Sequence, residues 1–451
     1  MGTAMPAVSA HDAAVGLDQI ETIVAEIMGD LEPDLTVPVG RGRPRILPDL
    51  ALWGGLLVCV ARGFSSQLAI WRLLTQTGLW HYPRFALSDQ AVYKRLAQGG
   101  TTVLAHLFAQ VTALLAVRLE PYQQQLDPGL APFASAIVAL DETTLDPLAR
   151  RLPVAGCDPP PERRLPGKVA GLFDIRRQCW RTIQLIAEAT QNEKVAARDL
   201  IAGLARGTLI LADLGYFGFA WFDELTAQGY WWISRLRAKT SYEIVTVLAQ
   251  QGETLDALVW LGAYRADRAK HLVRLVQFRQ GGVLRQYLTN VRDPAMLPAA
   301  ALVEVYARRW DIERAIALVK RELGLHLWWS GTDVVIQQQL WAVFTIAQIV
   351  HGLRLEIAAR AGVEVYDVSV PLMVRYLPIF AAQGEDPIAA FVARGRAAGF
   401  IRPARRVVLE VPQPPLAHAV SIGQVPVSRT PRYAQRRCAP QSASSHARIG
   451  I

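Results

Sequence analysis

The spacing of apolar residues changes character along the chain. Over residues 1–130 they recur at three and four, the period of an amphipathic helix. Helices are predicted over 15–29, 48–62, 66–77, 88–98 and 101–119. From Ala134 the pattern shifts to short buried runs and alternation, which predict strands over 134–145, 168–175, 178–190, 207–213 and 230–236. The pair 168–190 reads as a hairpin with Arg176 and Arg177 at its turn. A helix over 191–204 is opened by Asn192 as a cap, and 214–229 reads as a loop and then a helix. Short strands fill 237–290, a helix runs through 301–325, and 334–360 and 370–395 are helical again. Strands first and then alternating strand and helix predict a mixed α/β sheet. The last 51 residues hold seven Pro with scattered Arg and Ser, and read as largely disordered.

This pattern divides the chain into five parts. Residues 1–130 form a helical N-terminal region, and 131–236 the first part of an α/β core. A β-rich insertion occupies 237–295, then come the second part of the core over 296–400 and a basic tail over 401–451.

The helix that begins at Ala301 carries the densest chemistry. At about 100° per residue from Tyr306, Arg309 falls at about 300°, Glu313 at about 340° and Lys320 at about 320°. Beside this stripe Val305, Ile312, Ile316 and Leu323 form an apolar seam. One reading is a solvated face with an Arg309–Glu313 ion pair, in the weaker orientation for a helix. The other is a metal-binding Glu flanked by phosphate-binding cations. Choosing between them requires partner carboxylates elsewhere.

Composition sharpens the picture. With 451 residues and 51 % apolar content the chain can fill two or three domains. The longest uninterrupted apolar run, Leu50–Ala61, is too short to span a bilayer, and the first residues lack a leader pattern. The four cysteines are scattered without a C-x-x-C pair, which excludes a disulfide framework and a cysteine zinc site and fits a reducing cytoplasm. The net charge of +9 points to a polyanionic partner. Residues 401–451 hold eight Arg and one Glu, so they supply +7 (8 − 1) of it. Any grip on nucleic acid within the body must therefore come from local patches.

Three such patches stand out. RGRPR, with Arg43 and Arg45, is a basic arm or a solvated linker. Residues 66–98 resemble a helix-turn-helix, with Ser88 capping a second helix whose Lys94 and Arg95 face outward; ordinary helix packing is the alternative. Arg235, at the end of strand 230–236, is a further DNA-contact candidate.

Two buried strands each end in an aspartate, Asp141 and Asp213, and strand ends are where a sheet delivers charge to a cleft. Each alone reads as a turn or a cap. With Glu313 they make an all-oxygen set, which favours two Mg2+ or Mn2+ ions and in-line phosphoryl transfer.

At this point the chain resembles a known family. Tyr306, Arg309, Glu313 and Lys320 stand in the order Y-x2-R-x3-E-x6-K, the signature of bacterial insertion-sequence transposases of the IS-four type, a branch of the DDE transposases. YARRWDIERAIALVK looks like that family's glutamate segment, ILADLGYFG its second-aspartate segment and VALDETTL its first. The resemblance covers roughly residues 40–400 in organisation. It implies an RNase-H-like core with a β-rich insertion before the glutamate, preceded by a helical DNA-binding region. It implies Asp141, Asp213 and Glu313 as metal ligands, with Arg309 and Lys320 on DNA phosphate and Tyr306 stacking or donating to a phosphate. It also implies double-stranded DNA as partner, a homodimer on DNA and no membrane. A base flipped onto an aromatic makes Trp231, Trp232, Trp310, Trp328 and Trp329 candidates, with buried packing the alternative for most of them. Two departures matter. Glu142 follows the first Asp where the family places Gly or Ser, and alternation points it away from Asp141. Leu214 follows the second Asp where a basic residue is common. A nuclease that cuts without joining, and a DNA-binding protein that has lost cleavage, remain alternatives.

Overall fold

In the computed structural model of the chain, the apolar run Ile137–Leu140 forms the buried half of β1 (Ile137–Thr144). Residues 19–35, 46–80, 82–126, 129–145, 167–262, 267–325, 327–404, 409–415 and 425–433 are described. They divide into two compact units. Unit 1 is 1–211 with 307–408, and unit 2 is 212–306 with 409–451. The expected division placed the β-rich segment at 237–295. The chain changes unit at Leu211/Ala212 and at Tyr306/Ala307.

Unit 1 begins with α1 (Gln19–Leu35), α2 (Asp49–Ala61), α3 (Gln67–Arg72), α4 (Asp89–Gln98) and α5 (Thr102–Leu126). The caps are those the sequence offers: Ser66 and Ser88 accept from the third backbone N–H beyond them. β1, β2 (Lys168–Asp174) and β3 (Cys179–Ile186) form an antiparallel meander, and β4 (Leu209–Ala212) lies on the other side of β1. Between β3 and β4 runs α6 (Glu193–Ile201), capped by Asn192.

Further along lies α7 (Phe219–Ala227), which belongs to unit 2, as do β5 (Trp231–Arg235), β6 (Tyr242–Gln251), β7 (Thr254–Leu261), β8 (Val273–Gln280), β9 (Val283–Thr289) and α8 (Ala299–Ala307) up to Tyr306. These strands stand in the order β5-β9-β8-β7-β6, with antiparallel pairing throughout. Phe222 of α7 stacks on Trp232 of β5 at 4.2 Å. Arg274, fully buried, is held by both oxygens of Asp256 at 2.8 and 2.6 Å.

Back in unit 1, α9 (Trp310–Ala317), α10 (Asp333–Ala361), α11 (Val370–Ala382) and α12 (Pro387–Arg394) complete the α-helices of the described residues. α10 is apolar nearly all round and therefore sits at the centre, packed on α5, α2 and β3. Its Gln348 ties three elements together: the amide oxygen accepts from Trp180 N, and the amide nitrogen donates to Trp180 O and to Thr112 Oγ1. Among the described residues α10 and Thr102–Gln125 are long and apolar enough to cross a membrane, and the apolar window of α10 is wholly buried in the protein.

One expectation is corrected. The single helix over 301–325 is broken at Arg308–Arg309, where α8 ends and α9 begins, and α9 opens into a π turn over Leu318–Glu322. The break falls beside the unit boundary, and the π turn shifts the helical phase at Lys320, so the single-stripe geometry does not hold. Of the tail, residues 401–404, 409–415 and 425–433 are described. Residues 425–433 lie on unit 2, bridged at Arg268–Arg432 and His271–Ser428. Arg429 donates to the carbonyls of Ala269 and Leu261, and the Tyr433 hydroxyl donates to Asp223 at 2.8 Å.

Candidate active site

Asp141 sits in β1 directly across from Gly171 of β2. A side chain at Gly171 would lie 2.5 Å from the ring of Trp180, so only glycine leaves room for that ring on this face. Asp141 is half-buried, and its Oδ1 accepts from the backbone N–H of Glu142. Alternation sends Glu142 to the other face, as expected. There it is buried and ion-paired with Lys168 at 2.5 Å, and Lys168 also donates to the carbonyl of Gln191.

Glu313 belongs to the first turn of α9, and α9 packs on β1 and β2. Its Oε1 accepts from Arg309 Nη2 at 2.7 Å. Arg309 is 10 % exposed in its side chain and Glu313 32 %. The arginine also lies over the ring of Trp310, 5.5 Å from its centre. On the inner side of the same helix Asp311 accepts from Arg308 Nε at 2.8 Å and from Gln178 at 3.1 Å. The Tyr366 hydroxyl donates to Gln178 Oε1 at 2.8 Å, and the guanidinium groups of Arg308, Arg314 and Arg354 surround the Tyr366 ring. Burial pushes the Tyr366 hydroxyl far above its usual pKa, with the Asp311 charge adding to it. Two adjacent arginines at the helix break therefore clamp the two acids of the first turn, one on each side.

Lys320 lies in the π turn, and its ammonium donates to the carbonyl of Thr144 at 2.7 Å. That joins the helix to the end of the strand that carries Asp141.

Unit 2 carries Asp213, the residue after β4. Its Oδ1 accepts from Gly215 N at 2.7 Å and opens a short turn over Leu214–Tyr216. Tyr306, 8 % exposed, donates its hydroxyl to Ala212 O at 3.3 Å. Arg237 donates to the carbonyl of Leu214 at 2.8 Å and lies over Phe217. A basic group thus stands beside Leu214 although the sequence has none at that position, and no local pattern points to it.

The other candidates separate. Lys94 and Arg235 are exposed. Arg95 is committed to Asp49 and to the carbonyl of Leu47. Arg43 and Arg45 lie outside the described residues. Trp310 is 60 % exposed, whereas Trp232, Trp328 and Trp329 are buried and Trp231 is half-buried. Among the described residues, no group of three or more His, Cys, Asp or Glu side chains is gathered closely enough to hold a metal ion.

Residues 168–349 match the family model described as the transposase DDE domain. The match takes in the whole motif from Tyr306 to Lys320 together with Asp213, and begins after Asp141. The Sinorhizobium fredii protein y4zB, whose name assigns it to the transposases, is 26 % identical over 207 residues, 43 % of this chain and 55 % of that one. The transposase InsG of insertion sequence element IS4 from Escherichia coli is 26 % identical over 183 residues, 37 % of this chain and 39 % of that one. These matches support the resemblance to DDE transposases of the IS4 type, with the family model covering less than half of this chain. It spans about half the length, or less, of these curated relatives. A solved piggyBac transposase synaptic complex with hairpin DNA aligns at 10 % identity over 87 % of this chain and 84 % of that one. Its TM-score to this chain is 0.37.

Proposed function

We propose that the chain is a DNA transposase that cleaves DNA at insertion-sequence ends and joins the freed ends to target DNA. The observation that carries the reading is the setting of Glu313: its helix packs on β1, the strand of Asp141, and the family's motif surrounds it in full. The antiparallel meander β1–β2–β3, with β4 on the far side of β1, supports an RNase-H-like core.

In this reading Asp141, Asp213 and Glu313 are the catalytic carboxylates and hold two Mg2+ or Mn2+ ions. Oxygen donors of this kind, all partly exposed, suit a hard divalent cation. Such ions, when bound, activate the attacking oxygen and stabilise the leaving one. Arg309 pairs with Glu313, and Lys320 bonds the end of the strand that carries Asp141; both are suited to phosphate, Arg by a forked contact and Lys as a point charge. Lys94 and Arg235, both exposed, are further candidates for the DNA backbone. Trp310, the most exposed of the five tryptophans, is the one suited to stack on an unpaired base. In the first step water attacks a phosphodiester at the element end, one P–O bond forms, and the 3′-oxygen leaves as a hydroxyl. In the second that hydroxyl attacks a target phosphodiester and displaces its 3′-oxygen, so the number of ester bonds is conserved. A homodimer on DNA, acting in the cytoplasm, belongs to the same reading.

The test uses a pre-cleaved end and a supercoiled target plasmid. Joined product is expected from the wild type and none from Glu313→Gln, which should still bind the end in a gel shift. Nicks without joined product would make the protein a nuclease. Cleavage retained by Glu313→Gln would remove Glu313 from the catalytic set.

A further inference from the structure

We infer that Arg309 is a positioning residue that keeps Glu313 from metal until a DNA phosphate takes its guanidinium. The inference rests on the reading of Glu313 as a metal ligand. Arg309 holds Glu313 Oε1 at 2.7 Å, within the first turn of α9. A cation at that distance repels a second one approaching the same carboxylate, and does so more strongly where solvent is partly excluded. Arg309 is the more buried partner and is braced by the Trp310 ring, so the pair is set by the fold rather than by chance contact at a free surface.

The pair is also built to be exchanged. Arg before Glu is the weaker order for an i,i+4 ion pair on a helix. A phosphodiester offers the guanidinium two oxygens in the fork geometry that Arg matches best. Trp310, 60 % exposed, marks the side from which a nucleotide would approach. When the guanidinium moves from Glu313 to phosphate, the carboxylate becomes available to a divalent cation. DNA and metal then bind with mutual reinforcement, and the coupling is the same in both directions.

The experiment measures free Mn2+ by electron paramagnetic resonance as the full chain is titrated, with and without a short DNA duplex. Binding to duplex alone is subtracted. For the wild type the duplex should tighten Mn2+ binding about tenfold, within the usual range of coupling between sites. Arg309→Gln should bind Mn2+ without duplex as tightly as the wild type does with it, and gain nothing from the duplex. Arg309→Lys, which keeps the cation, should keep the weak binding seen without duplex. Arg309→Met repeats the test with a neutral stem of similar reach, should the Gln variant fold poorly. Equal Mn2+ affinity of the wild type and the neutral variants without duplex would overturn the inference. Glu313→Gln separates this from failure of the underlying reading: if it binds Mn2+ as the wild type does in the presence of duplex, Glu313 is not a metal ligand at all.

Discussion

The hydroxyl of Tyr306 donates to the carbonyl of Ala212, the residue immediately before Asp213. The first residue of the motif therefore holds the backbone that presents the second aspartate. Tyr306→Phe should leave duplex affinity unchanged and cost about 1 kcal/mol of stability, the usual worth of one such bond. Gel shift and thermal melting measure the two. Weaker duplex binding with unaltered melting would place the hydroxyl on DNA instead.

Asp311 is the acid on the inner side of the same helix, held by Arg308 and Gln178. Asp311→Ala strands the Arg308 guanidinium, 15 % exposed, without its carboxylate. A loss of about 3 kcal/mol is expected, as for breaking a buried ion pair from one side. Asp311→Asn keeps an acceptor and should cost less. Urea denaturation at constant slope gives the values. Equal midpoints for Asp311→Ala and the wild type would show that the cluster does not brace α9.

His351 lies inside α10 with its ring edge against Phe173. Burial, with help from the Arg354 charge, pushes its pKa down to about 3. The unfolded chain takes up this proton at about 6.5, so at intermediate pH the unfolded state binds more protons than the folded one. The contribution is complete above about pH 6.5 and is lost as pH falls towards 3, at up to about 1.4 kcal/mol per unit. His351→Phe should flatten this part of the stability profile. A slope unchanged by the substitution would assign the acid sensitivity to other groups.

Unit 2 includes the strap 425–433. Asp223 accepts from the backbone N–H groups of Lys270 and His271 as well as from Tyr433. A chain ending after Tyr433 should melt like the full-length protein. A chain ending before 425 should melt lower, by about 1 kcal/mol for each strap bond lost. The salt dependence of duplex binding should fall in the first truncation, because Arg436, Arg437 and Arg448 are removed. An unchanged slope would show that these residues do not touch DNA.

The sequence by itself determined the order of helices and strands, because burial imposes its period on each element separately. It located β1 through β4 and the caps at Ser66, Ser88 and Asn192 to within a few residues. It also marked Glu313 and its motif, since chemistry confined to one helix is written at short spacing. Contacts between distant residues decided the rest. Tyr306 on Ala212, Lys320 on Thr144, Arg237 on Leu214 and the tail on unit 2 join positions that no local period connects. The break at Arg308–Arg309 has no Gly or Pro to announce it. It arises where the chain passes from one unit to the other, and side chains from remote segments, Gln178 and Tyr366 among them, fix the direction of α9 beyond it.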